Sequence, residues 1–71
     1  MGTFRATMEI KGRSRTVLVD ADDIVEARSN AARLLTSRMR ADWFPSEDPS
    51  VGEIREGSHV LAHGTMTIER A

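Results

Sequence analysis

Polar and apolar residues alternate one by one through residues 3–10, with Phe4, Ala6, Met8 and Ile10 on one side and Thr3, Arg5, Thr7 and Glu9 on the other. A period of two predicts a half-buried strand. Residues 13–20 are rich in β-branched side chains and follow Lys11-Gly12, a pair that can close a two-residue hairpin with glycine at a position needing positive φ. That turn sets Ile10 against Arg13, Met8 against Arg15, Ala6 against Val17 and Phe4 against Val19. Paired residues share a face. Phe4, Ala6, Met8, Val17 and Val19 therefore form one apolar surface, while Thr3, Arg5, Thr7, Glu9, Ser14, Thr16, Leu18 and Asp20 collect on the other.

After Asp20 the period changes, and residues 22–43 read as one long amphipathic helix. Asp23 followed three residues later by Glu26 fits a capping box, and Asp20, Asp22 and Asp23 sit where the helix dipole is positive. Pro45 cannot continue a helix and bars Phe44 from the α region. Advancing 100° per residue gathers Ile24, Ala27, Ala31, Leu34 and Leu35 in one arc, with Val25, Ala32 and Met39 on its flank. Arg28 and Arg38 lie in or beside that arc. Either they bury their methylenes and leave the guanidinium in water, or they pair with carboxylates of a binding partner.

Residues 45–50, with two prolines, two serines and two acids, read as a loop. Residues 51–55 make a short strand, and Glu56-Gly57 is a turn signal. Residues 59–70 alternate with Val60, Ala62, Gly64, Met66 and Ile68 on one side, Gly64 marking a bulge or bend that lets one strand serve two neighbours. The expected fold is α+β: β-β-α-β-β, a four-stranded antiparallel sheet with one long helix on one face. The expected core is Phe4, Ala6, Met8, Val17, Val19, Ile24, Ala27, Ala31, Leu34, Leu35, Met39, Ile54, Val60, Met66 and Ile68.

Composition narrows this little further. Seventy-one residues make one domain of modest expected stability, with no cysteine to staple it. The first residues do not form a signal peptide and no apolar run approaches a membrane span, so a cytoplasmic protein is expected. Ten basic and eleven acidic residues leave a net charge of −1, which gives no global argument for nucleic acid.

Local charge is more informative. Lys11, Arg13 and Arg15 cluster at the tip of the first hairpin, with Arg5 further along on the polar face. Guanidinium matches phosphate bidentately, so these four are the candidate nucleic-acid contacts; the competing reading is a solvated tip whose charges protect a sheet edge. Aromatic side chains for base stacking are missing from the sheet. His59 and His63 share a strand face but lie about 13 Å apart, too far for one metal ion. Glu9, Glu53, Glu56 and Glu69 are scattered, and no motif sets a histidine beside a nucleophile. No enzyme activity, metal or cofactor is expected. Leu18 and Leu61 point away from the helix, and Trp43-Phe44 falls at the expected helix end. These four are the candidate protein interface, since exposed apolar and aromatic side chains anchor such contacts; for Trp43 and Phe44 the alternative is to cover the end of a small core.

The run from Arg15 through the Asp20-Ala21-Asp22-Asp23 cap to Glu26-Ala27 and Ala31 resembles the hairpin-then-helix unit of many small phage and bacterial accessory proteins. Antitoxins of the HicB type share a loosely similar segment, but their additional strand and proline-glycine pattern are not found here. The resemblance covers under a third of the chain and implies a protein that acts by binding a host or phage macromolecule, with no site residue assigned. The expectation is a non-enzymatic protein-interaction module, self-associating as a homodimer through an edge strand or the open sheet face. The alternative is a nucleic-acid accessory protein working through the basic hairpin. No membrane and no small-molecule substrate is expected.

Overall fold

The computed structural model describes residues 2–37 and 39–71. Five strands and one helix follow in the order β1 (Gly2–Ile10), β2 (Arg13–Ala21), α1 (Ile24–Thr36), β3 (Asp42–Pro45), β4 (Val51–Glu56) and β5 (His59–Arg70). One antiparallel sheet holds all the strands in the spatial order β2-β1-β5-β4-β3. The first hairpin has the register its turn predicts, Phe4 to Val19 through Ile10 to Arg13. β5 does serve two neighbours, its C-terminal half pairing with β1 and its N-terminal half with β4.

The expected four strands become five because the helix is shorter than its apolar period suggests. Asp23 caps its start, accepting the Glu26 N–H at 2.8 Å. At the other end the Thr36 hydroxyl donates to Ala32 O at 2.8 Å, the Ser37 hydroxyl and N–H both reach Leu34 O, and Met39 N–H closes a tight turn on Thr36 O. These local bonds compete with continued helix. Residues expected to form its last turn instead become β3, where Trp43 pairs with Ile54 and Phe44 with Glu53. Arg38 lies outside the described residues.

Ala27, Ala31 and Leu35 are the buried spine of the helix, at 0, 0 and 1% exposure. They pack against Phe4, Ala6, Met8, Val19, Ala21, Ile54 and Met66. The buried arc is turned relative to the expected one, so Ile24, Leu34 and Met39 are exposed. Arg28 is half-buried, its Nε without a hydrogen-bond partner among the described residues, and its charge reaches Asp48. Val60 also leaves the expected core. The β4–β5 ladder shifts between Ile54 and Arg55, so Ile54 faces Ala62 but Arg55 faces Val60, and Leu61 is the extra residue. The bulge therefore lies at Leu61 and not at Gly64, and it turns Val60 toward the face that carries Arg55.

Gly64 has a different task. A Cβ there would lie 2.8 Å from Glu9 O and 2.8 Å from Ile10 Cγ1, and at Gly52, its cross-strand neighbour, 2.6 Å from both Phe44 O and the Trp43 ring. The two glycines form a flat bed for the indole. Trp43 thereby covers β4 and the adjoining part of β5, while the helix lies most closely over β2 and makes no close backbone approach to β4. Replacing Gly52 or Gly64 with Ala is expected to destabilise the fold by about 1–3 kcal/mol through overpacking, read as a lower urea midpoint. Asp23→Ala is expected to cost about 1 kcal/mol through the lost cap.

The loop at 46–50 is laced together by its own side chains. Asp48 Oδ1 accepts the Ser50 hydroxyl at 2.7 Å and the Ser50 N–H at 2.9 Å, and the Ser46 hydroxyl donates to Asp48 O and Val51 O. The Ser50 hydroxyl first, then its N–H, hold the Asp48 carboxyl below the ordinary carboxylate value, with a smaller pull from Arg28. A depressed folded pKa stabilises the fold above the unfolded value of about 3.9 and loses that contribution as pH falls through the lower folded value. Titration of the Asp48 carboxyl by NMR is expected to give a midpoint below that of an unstructured Asp.

Candidate functional site

The strand order leaves two sheet edges. β3 is four residues long and ends on Pro45, so it offers little to pair with. β2 is nine residues long, and its middle, Thr16-Val17-Leu18-Val19, has no charge, proline or bulge. Those are the devices that usually stop an edge from recruiting another strand.

The turn determines which backbone groups face outward. Lys11 (φ 52°) and Gly12 (φ 77°) both adopt left-handed conformations, forming the mirror-type two-residue turn whose flanking residues exchange hydrogen bonds. Such pairs alternate along an antiparallel ladder. Arg13, Arg15, Val17, Val19 and Ala21 therefore direct N–H and C=O toward β1, and Ser14, Thr16, Leu18 and Asp20 direct theirs away. Two bonds agree with this. Thr3, opposite Asp20, sends its carbonyl to Ala71 N–H on the far side at 2.9 Å, and the outward Asp20 carbonyl accepts a bond from Asn30 Nδ2 at 3.4 Å. Among the described residues no further strand lies beyond Ser14, Thr16 and Leu18.

Side chains sort along this edge by charge. At the hairpin end Lys11, Arg13 and Arg15 are exposed and, among the described residues, have no acidic partner. Below them, between the hairpin and the end of the helix, opens a cavity of about 540 Å³ floored by Met8, Ile10, Leu35 and Met39. At the other end stand Asp20, which accepts the Thr3 hydroxyl at 2.8 Å, then Asp22 and the capping Asp23. Between the two ends Leu18 is 61% exposed. On the helix side a groove of about 510 Å³ runs between Leu18, Val19 and Asp20 of the edge and Asn30, Arg33 and Leu34 of the helix. The helix thus leaves the edge open.

The remaining candidates lie elsewhere. Arg5 faces the open side of the sheet, where Nη1 pairs with Glu69 Oε1 at 3.0 Å across the β1–β5 ladder, so it is no part of the basic rim. Trp43 and Phe44, neighbours on a strand and not on a helix end, point to opposite faces. Trp43 lies on its glycine bed, and Phe44 lies under the Arg55 guanidinium, 4.8 Å from the ring centre, with Arg55 also donating to Glu53. Leu61 is the exposed bulge residue of β5. The four apolar candidates therefore do not form one patch: Leu18 and Phe44 belong to opposite edges of the sheet. His59 and His63 do not share a face as expected. They pair with Glu56 and Glu53, three residues apart on β4, so the bulge sends them to opposite sides. His63 Nδ1 lies 3.9 Å from Glu53 Oε2. Among the described residues no group of three or more histidines and acids could hold a metal, and no helix is long and apolar enough to cross a membrane.

The structure sets Leu18 on the same edge strand as Arg13 and Arg15, with Lys11 in the adjoining turn, and adds Asp20, Asn30 and Leu34 beside Leu18. The change of sign from Lys11 to Asp23 is visible in the sequence as soon as β2 is known to be an edge. Leu34 is not, because helical periodicity assigns it to the core. Comparison of the chain with family models, curated proteins and solved structures finds no match.

Proposed function

We propose that this chain is a small non-enzymatic protein-binding module that takes an extended segment of its partner onto the free edge of β2. The observation that carries the reading is the edge itself: nine residues long, with the outward backbone groups of Ser14, Thr16 and Leu18 facing no strand among the described residues. Added strands gain affinity from main-chain hydrogen bonds and specificity from the pockets that their side chains meet. Here the hairpin end supplies a cationic rim over an apolar floor, which suits a partner carrying an acidic residue close to an apolar one. Such binding without chemistry is what a phage- or prophage-type accessory protein acting on a host or phage macromolecule would use.

Nucleic-acid binding is the second reading, favoured by Lys11, Arg13 and Arg15, which have no acidic partner among the described residues. It lacks the fourth cation, since Arg5 is held by Glu69, and it would have to tolerate the acids at the other end of the same strand.

Thr16→Pro separates the two readings. Thr16 directs its N–H outward, so proline there removes no bond of the β1–β2 ladder but blocks strand addition. Panning a random peptide library on the immobilised protein is expected to enrich alternating apolar-acidic sequences, and Thr16→Pro, with unchanged circular dichroism, is expected to lose them. Enrichment that survives in Thr16→Pro contradicts the edge reading. Salt-sensitive binding of a short DNA duplex, lost when Arg13 and Arg15 are both replaced by Ala, favours the second reading.

A further inference from the structure

We infer that one strand fitted to the β2 edge is β2 of a second copy, paired antiparallel about a two-fold axis through Leu18. The inference rests on the reading of β2 as a docking edge and names a partner for it. Lys11, Arg13 and Arg15 stand at one end of the strand and Asp20, Asp22 and Asp23 at the other. An antiparallel self-pairing lays the cationic end of each copy beside the anionic end of the other, twice over. A parallel pairing would set like against like.

A two-fold axis perpendicular to the sheet keeps each face on its own side, so residues that meet across the seam must share a face. With the axis at Leu18, that residue meets its own copy, Thr16 meets Asp20, Val17 meets Val19, Arg15 meets Ala21 and Arg13 meets Asp23. Leu18 and Thr16 are outward-directed positions, so this register also matches N–H to C=O across the seam. Only the long 3.4 Å bond from Asn30 to Asp20 O must yield. Moving the axis to Val17 would set Leu18 against Thr16 and Arg13 against Ala21, so the two exposed Leu18 side chains would no longer meet and Arg13 would lose its acidic counterpart.

Leu18 on the open face and Leu34 on the helix face are 61% and 51% exposed, and they lie on either side of the same edge. In the paired form the two Leu18 side chains meet, and the two edge grooves face each other with Leu34 lining each. Because both ends of the seam join cation to anion, association weakens as salt rises.

Sedimentation equilibrium and cross-linking test this together. The wild-type chain is expected to show twice the monomer mass at about 100 μM, the range in which a weak specific dimer is populated. Folded Thr16→Pro is expected to show the monomer mass; should it fail to fold, Leu18→Glu, a change at an exposed position, takes its place. The chain has no cysteine, so Leu18→Cys offers a single thiol, expected to oxidise to a covalent dimer in native buffer and not in urea. A monomeric wild-type chain at that concentration overturns the inference, as does a dimer that survives Thr16→Pro or Leu18→Glu. If that monomer still binds library peptides through an intact β2 edge, the docking reading stands while the self-pairing falls, so the two failures are distinguishable.

Discussion

The contact of Ala27, Ala31 and Leu35 with the sheet constrains everything else. Two methyl-sized side chains let the helix come close to the apolar face of the sheet, with Leu35 buried in the same cluster. Seated most closely over β2, the helix makes no close backbone approach to β4. The remaining apolar surface is closed by a single indole, and that demands two strands bare of side chains beneath it, which Gly52 and Gly64 provide. The same rotation that buries Ala27 and Ala31 pushes Leu34 to the lip of the β2 edge. Core packing and the open edge are thus two results of one seating.

Much of this was legible in the sequence, and the limits have physical causes. The first hairpin was readable because its turn is two residues long and the pleat has a period of two, so register and face follow together. The cap at Asp23 was readable because it is local. The end of the helix was not. Periodicity continues through Met39, while the bonds that stop the helix come from Thr36 and Ser37 hydroxyls, and the strand that replaces its last turn is stabilised by β4, which lies later in the chain. Gly64 announced an irregularity, but close packing against Ile10 and Trp43 leaves the same mark in a sequence as a bulge does. The true bulge at Leu61 has no local signature, and missing it misplaced Val60 and put His59 and His63 on one face.

The site was legible in its parts and not in its assembly. The helix-side placement of Arg13 and Arg15, and the outward placement of Leu18, followed from the hairpin alone. That β2 ends the sheet depends on β5 pairing with β1, a contact between the two ends of the chain. Once β2 is an edge, the change of charge along it acquires a meaning that composition, nearly neutral overall, conceals. The open face, by contrast, satisfies itself: Thr3 with Asp20, Arg5 with Glu69, Thr7 with Thr16, and Glu53 with Arg55 form cross-strand and neighbouring pairs that compete with any ligand.

The central claim is that the outward backbone groups of β2 are unpaired in one copy and available to another strand. Amide hydrogen exchange along β2, followed by NMR in dilute and in concentrated solution, addresses it residue by residue. The account predicts alternation in dilute solution, with Thr16 and Leu18 exchanging fast and Val17 and Val19 slowly, and protection of Thr16 and Leu18 as concentration rises. Uniform protection along β2 in a solution that sediments as monomer would contradict it, because the edge would then already be covered within a single chain.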